Sequence, residues 1–141
     1  MVHLIKLCVG ADSVESLQAW IDWRAEQARA AGKKPEQFHT TRMIPKRKDE
    51  LLDGGSLYWV IKGSIQVRQH LLDIRPFRDS EGIQRCDLIM EPRLILTEWQ
   101  PRRPFQGWRY LKPEDAPKDL GSGEQSISPE LRSDLSELGL L

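Results

Sequence analysis

Gly54-Gly55-Ser56-Leu57-Tyr58-Trp59-Val60-Ile61-Lys62-Gly63 is the stretch on which the reading of the fold turns. Ser56–Ile61 is rich in aromatic and β-branched residues and bounded by glycines, the mark of a buried strand. The span 54–61 is also the longest in the chain without Asp, Glu, Lys or Arg. Gly54-Gly55 is best explained as the turn leading in, and Gly63 breaks the pattern. Downstream, residues 64–74 are ambiguous: Val67, Leu71 and Ile74 fit a helix, whereas Ile65 and Val67 fit a strand. The helical spacing is the preferred reading there. Residues 83–90 and 94–99 form two strands joined by Glu91-Pro92-Arg93, with Cys86, Leu88 and Met90 on one face of the first. Pro101 and Pro104 confine the next segment to a loop or a sheet edge.

Working upstream, residues 46–52 make a short charged helix and residues 38–44 a β-rich run closed by Pro45. Val14, Leu17, Ile21, Ala25 and Ala28 recur at helical spacing, with Asp12 as N-cap, Glu15 three residues later, and Gly32 as the stop. Residues 2–9 are β-rich and end at Gly10. Past Leu111 the composition shifts: Gly121-Ser122-Gly123 is a flexible joint, and Ser128-Pro129 opens a last helix with Leu131, Leu135 and Leu138 on its apolar face. The expectation is one α+β domain over residues 1–120. It holds a small, mostly antiparallel or mixed sheet, barrel-like in one variant, with a long N-terminal helix. A C-terminal helix follows on the tether 121–141.

Composition narrows the function classes. The 141 residues are 39% hydrophobic and 30% charged, which suits a soluble globular protein. No apolar run approaches the roughly 18 residues needed to cross a bilayer. The first nine residues lack the basic leader and cleavage site of a secretory signal, so a cytoplasmic location is expected. Cys8 and Cys86 stand apart from each other and from any histidine cluster, and are expected as buried, reduced thiols. Charge is balanced at 21 against 21, but residues 38–112 carry 14 cationic against 9 acidic side chains, and residues 113–141 carry 2 against 7. A basic body with an acidic tail can attract a polyanion or fold the tail back upon itself.

The strings VHLIKLCVG at 2–10, GGSLYWVIKG at 54–63 and PRRPFQGWRYLKPEDAP at 101–117 resemble a bacterial family of unknown function, domain-of-unknown-function family 1489. The resemblance covers nearly the whole chain and implies a cytosolic bacterial protein, but no reaction. A weaker likeness, at the level of fold alone, is to the pseudouridine-synthase-and-transglycosylase-type (PUA-like) RNA-binding barrels.

For function, residues 101–111 stand out. Arg102, Arg103, Gln106, Trp108 and Arg109 crowd a proline-bounded segment, and arginine forks with aromatic rings suit phosphates and stacked bases. Trp108 and Tyr110, two apart, also fit inward packing on an edge strand. Lys62 and Arg68 are second choices. The leading expectation is a non-catalytic module for RNA or another phosphate-bearing ligand. One alternative is a small-molecule enzyme with a pocket near His39, Arg42, Lys62 and Arg68; another is an oligomer subunit or adaptor using the leucine-rich tail. A solvated helix face is the preferred reading of Arg42, Lys46, Arg47 and Lys48, and His3 is expected on the outer face of the first strand. No metal-ligand spacing, phosphate loop, dinucleotide fingerprint or nucleophile elbow is present, and no cofactor is expected.

Overall fold

Seven strands joined in one mixed sheet carry the fold in the computed structural model, which describes residues 1–120. The elements run β1 (His3–Leu7), α1 (Val14–Ala30), β2 (Gln37–Thr41), α2 (Lys48–Leu52), β3 (Ser56–Ile61), β4 (Ser64–Arg78), β5 (Gln84–Met90), β6 (Ile95–Pro101) and β7 (Trp108–Leu111). A 3-10 turn, Pro113–Asp115, comes next. This overturns the expected α+β domain built from a small sheet and two principal helices. The sheet is the body of the molecule, and its α-helices among the described residues are one of 17 residues and one of five. The expected helix over Leu131, Leu135 and Leu138 lies outside the described residues. Among the described residues no helix is long and apolar enough to cross a membrane.

The strand order is β2-β5-β4-β3-β1-β7, with β6 added on β4. Among the described strands only β1 and β3 run parallel; every other pair is antiparallel. β3 is buried at all six positions, as its uncharged sequence requires. Lys62 and Gly63 both take positive φ, 49° and 84°, and close the two-residue hairpin into β4 with the hand that matches strand twist. Gly55 answers a different need. A Cβ there would stand 2.3 Å from the Leu51 carbonyl oxygen and 2.4 Å from that of Val2, so no larger residue fits where α2, the N-terminus and β3 converge.

Residues 64–74 are strand, not helix. β4 extends over 15 residues, paired through its first half with β3 and β6 and through its second half with β5. The helical spacing had a physical source. A register shift between Leu71 and Asp73 inserts one residue, so Leu71 and Ile74 face the same core although three apart. A second irregularity between Ile65 and Val67 turns those two residues to different clusters.

α1 begins at Ser13 rather than Asp12. The Ser13 hydroxyl accepts from the Ser16 N–H at 3.0 Å, and the Ser16 hydroxyl accepts from the Ser13 N–H at 3.1 Å, so Ser16 takes the role expected of Glu15. At its far end the Gly32 N–H donates to the Arg29 carbonyl and the Lys33 N–H to the Ala28 carbonyl, with Gly32 at φ 74°. Val14, Leu17, Ile21 and Ala25 are its buried stripe. Val14, Leu17 and Ile21 join Leu4, Trp59, Val67, Leu71 and Leu88 in the main core. A second cluster, Ile5, Tyr58, Val60, Ile65 and Leu111, occupies the opposite face of the sheet under Phe105 and Ala116. His3 faces this side but is buried, its ring 5.0 Å from that of Tyr58 and its Nδ1 accepting from the Ser56 N–H at 3.0 Å. Cys86 is buried as expected, whereas Cys8 is half-buried; both are free thiols.

The sheet curls until its two end strands approach through residues 43–47. The Trp108 indole N–H donates to the Met43 carbonyl at 2.8 Å, and the Tyr110 hydroxyl accepts from the Lys46 and Arg47 N–H groups at 2.8 and 3.1 Å.

Candidate functional site

The curl leaves a cavity of about 550 Å³ between α1 and the inner face of the sheet. Its floor is Trp59 of β3, Gln69 of β4 and Met90 of β5; one wall is the chain from Cys8 to Ala11, and the other is Gln37, Phe38 and His39 of β2. Trp20, Trp23 and Arg24 of α1 overhang the opening.

Specific contacts hold the floor pair Trp59 and Gln69, the β2 wall and the mouth. The Trp59 indole N–H donates to Gln69 Oε1 at 2.8 Å, and Gln69 Nε2 donates to the Glu91 carbonyl at 2.9 Å, which locks both side chains in a buried position. Gln37 Nε2 donates to the Ile21 carbonyl at 3.0 Å and ties β2 to α1. His39 stands edge-on to Trp59, centroids 5.2 Å apart and planes at 87°. At the mouth, Arg24 donates to the Phe38 carbonyl at 3.0 Å and lies 4.3 Å from the Phe38 ring. Trp20 and Trp23, three apart on the helix, stack at 5.2 Å and remain 52% exposed each.

The electrostatics derive from burial. His39 is pushed down from 6.5 to about 4, first by desolvation and then by the positive charges of Lys6 and Arg24, with Asp87 opposing. It is a neutral imidazole at pH 7, offering one donor and one acceptor. Neither ring nitrogen is hydrogen-bonded to another described residue, and neither is fully closed off from solvent. Burial likewise raises the Cys8 thiol above its usual value and keeps it protonated. Among the described residues, no Asp or Glu lines the cavity. Among the described residues, no group of three or more His, Cys, Asp or Glu side chains is placed to hold a metal ion.

The sequence-predicted residues lie elsewhere. Arg102, Arg103 and Arg109 surround a recess of about 480 Å³ on the other face of the sheet, with Ile5, Phe105 and Tyr110. Arg109 stands 5.7 Å from the Phe105 ring, and Arg102 donates twice to Gln100 Oε1. Arg103 and Arg109 have no carboxylate partner among the described residues. Trp108 is not part of this recess: it is buried in the main core, 4.9 Å from Tyr110. Gln106 is exposed and does not line it. Lys62 sits in the adjoining hairpin turn, whose Gly63 carbonyl accepts from the Arg102 N–H at 2.8 Å. Arg68 is committed to structure, donating twice to Asp119 at 2.8 Å and once to Ser56 Oγ at 2.8 Å.

His39, Arg42, Lys62 and Arg68 do not converge. Only His39 lines the cavity under α1; Arg42 is exposed beyond β2, Lys62 belongs to the β3–β4 turn, and Arg68 is paired with Asp119. Sequence reasoning missed the cavity because several separate segments each contribute a few side chains to it. Its available signals were two glutamines, Gln37 just before the β-rich run and Gln69 within the ambiguous segment 64–74, and the Trp20–Trp23 pair flanking the helical stripe.

No curated protein and no solved structure matches the chain, so the fold-level likeness to RNA-binding barrels gains no support. A family model does match, over residues 4–141, and the chain therefore belongs to the family described as protein of unknown function, DUF1489.

Proposed function

We propose that the protein is a non-catalytic binding module for a small planar ligand, which enters the cavity between α1 and the sheet. The observation that carries this reading is the pairing of aromatic walls with a desolvated His39 whose nitrogens lack partners among the described residues. An apolar cavity within the usual range of roughly 300–1,000 Å³, with a few fixed polar groups, is the common form of a small-molecule site. Trp59 and Phe38 offer rings to a flat ligand, and His39 offers the orienting hydrogen bond. The same groups are poorly tuned for proton transfer at neutral pH. An imidazole titrating at about 4 is a weak base, and a thiol raised by burial is a weak nucleophile.

The reading treats residues 1–120 as the binding body and 121–141 as a separate tail. It places the protein in the cytoplasm, where the free thiols of Cys8 and Cys86 would persist. A library of flat aromatic fragments, followed by the indole N–H resonances of the five tryptophans, tests it. Binders should shift Trp59 and Trp20 and leave Trp108 unmoved. Fragments that bind at millimolar concentration while moving none of the cavity tryptophans would overturn the reading.

A second reading, RNA or another phosphate-bearing ligand at the arginine recess, has one observation in its favour. Arg102, Arg103 and Arg109 gather around one hollow with the rings of Phe105 and Tyr110, and among the described residues no carboxylate lines it. Labelled RNA titrated at two salt concentrations tests it, and binding that ignores salt would refute it.

A further inference from the structure

We infer that the flat ligand is a nucleoside monophosphate, with its base in the cavity under α1 and its phosphate in a second hollow beside the mouth; this rests on the cavity being a ligand site. The second hollow, of about 390 Å³, is lined by Arg24, Ala28, Lys33, Lys34, Glu36 and Phe38. Arg24 and Phe38 line the cavity as well, so the two spaces meet across a shared wall. That wall is fixed. Arg24 donates to the Phe38 carbonyl at 3.0 Å, and its guanidinium stands 4.3 Å from the Phe38 ring and 5.8 Å from the Trp20 ring.

The two spaces differ in chemistry. The cavity is walled by rings, whereas the hollow sets Arg24, Lys33 and Lys34 against the single carboxylate of Glu36. Glu36 is already engaged, accepting from Arg75 at 3.0 Å. Arg24, Lys33 and Lys34 have no ion pair among the described residues. Of the five guanidinium N–H groups of Arg24, the Phe38 carbonyl takes one, which leaves the others for a ligand. The loop that presents the lysines is held by its backbone: the Gly32 and Lys33 N–H groups donate to the Arg29 and Ala28 carbonyls, and the Glu36 N–H donates to the Lys34 carbonyl at 2.8 Å. The first two bonds also occupy carbonyls at the negative end of α1, which would otherwise oppose an anion there.

A ligand that fills both spaces must join a flat ring to an anion through a spacer that passes the Arg24–Phe38 wall. Base, ribose and phosphate come in that order. Every base has a face to lay against Trp59 or Phe38, and its edge exchanges hydrogen bonds with the neutral His39 imidazole. Lys33 and Lys34 are exposed, so the phosphate keeps much of its hydration while the two ammoniums and the remaining Arg24 N–H groups share its charge. A neutral ring would leave the three cations unused. Inorganic phosphate would leave the cavity unfilled.

The full chain titrated by calorimetry with the common ribonucleosides and their 5′-monophosphates tests the inference. At least one monophosphate should bind about tenfold more tightly than its nucleoside, and added salt should narrow that gap. Replacing both lysines, Lys33→Gln with Lys34→Gln, should weaken that monophosphate about tenfold and leave the nucleoside unchanged, with the unliganded indole resonances in place to report that the variant is folded. Equal affinity of nucleoside and monophosphate for the native chain would overturn the inference while leaving the ligand-site reading intact, and that comparison needs no variant. A trinucleotide that binds far more tightly than its mononucleotides would overturn it in favour of an RNA strand. If no nucleoside or monophosphate binds at millimolar concentration the inference falls; the ligand-site reading falls with it only if flat aromatic fragments also leave Trp59 and Trp20 unmoved.

Discussion

His39 gives the cavity a measurable signature in the pH dependence of folding. In the unfolded chain its imidazole takes up a proton near pH 6.5; in the folded chain it resists until about 4. Between those values the unfolded state holds more protons, so stability is complete above pH 6.5 and falls as the pH drops toward 4. Each unit of displacement corresponds to about 1.4 kcal/mol, so the full effect is about 3 kcal/mol, of which roughly 2 kcal/mol is lost between pH 7 and 4.5. His3 shifts in the same direction, lowered by its own burial and by Arg68, so the native curve carries a second contribution. His39→Gln removes only the first. Urea unfolding of both proteins at pH 7, 6, 5 and 4.5 should show the native chain losing roughly 2 kcal/mol more than the variant across that range. The carboxylates of Asp73, Asp79 and Asp119, which titrate below their usual values, influence both curves equally at the lower end. Parallel stability curves, or a His39 ring resonance that titrates near 6.5, would refute the reasoning that this imidazole is desolvated beside two cations.

Two other perturbations have defined outcomes. Gly55→Ala forces a Cβ against the Leu51 and Val2 carbonyl oxygens and should cost roughly 1–3 kcal/mol, seen as a lower urea midpoint with an unchanged slope. If RNA binds at the recess, replacing Arg103 and Arg109 together by Ala should make the plot of log affinity against log salt shallower by about 1.4, two single-strand phosphate contacts; an unchanged slope would place any RNA elsewhere.

Much of the sheet was legible because its strands are chemically plain. Ser56–Ile61 could only be a covered strand, and the two-residue spacing of Trp108 and Tyr110 anticipated that both rings would turn inward, as Trp108 does fully and Tyr110 in part. The helix start was misplaced by one residue because Asp12 and Ser13 are both good caps, and only the geometry of Ser16 decides between them. β4 was misread because an inserted residue gives Leu71 and Ile74 the spacing of a helix, a feature invisible until the partner β5 is present. That error hid the sheet's size and so the fold class. The arginine loop was legible as a charge cluster, and three of its residues do share a recess, but Trp108 was counted as a contact when its indole anchors the Met43 carbonyl. The cavity was illegible for a different reason: Cys8, Arg24, His39, Trp59 and Gln69 are far apart in sequence, and no local pattern joins them.

The length of β4 has a mechanical consequence. One unbroken segment of 15 residues lies beside β3 and β6 at its start and beside β5 at its end. Neither half of the molecule can therefore detach without snapping this shared spine near Leu71. Opening should be all-or-none, with amide protons on both sides of that point exchanging at the same slow, global rate.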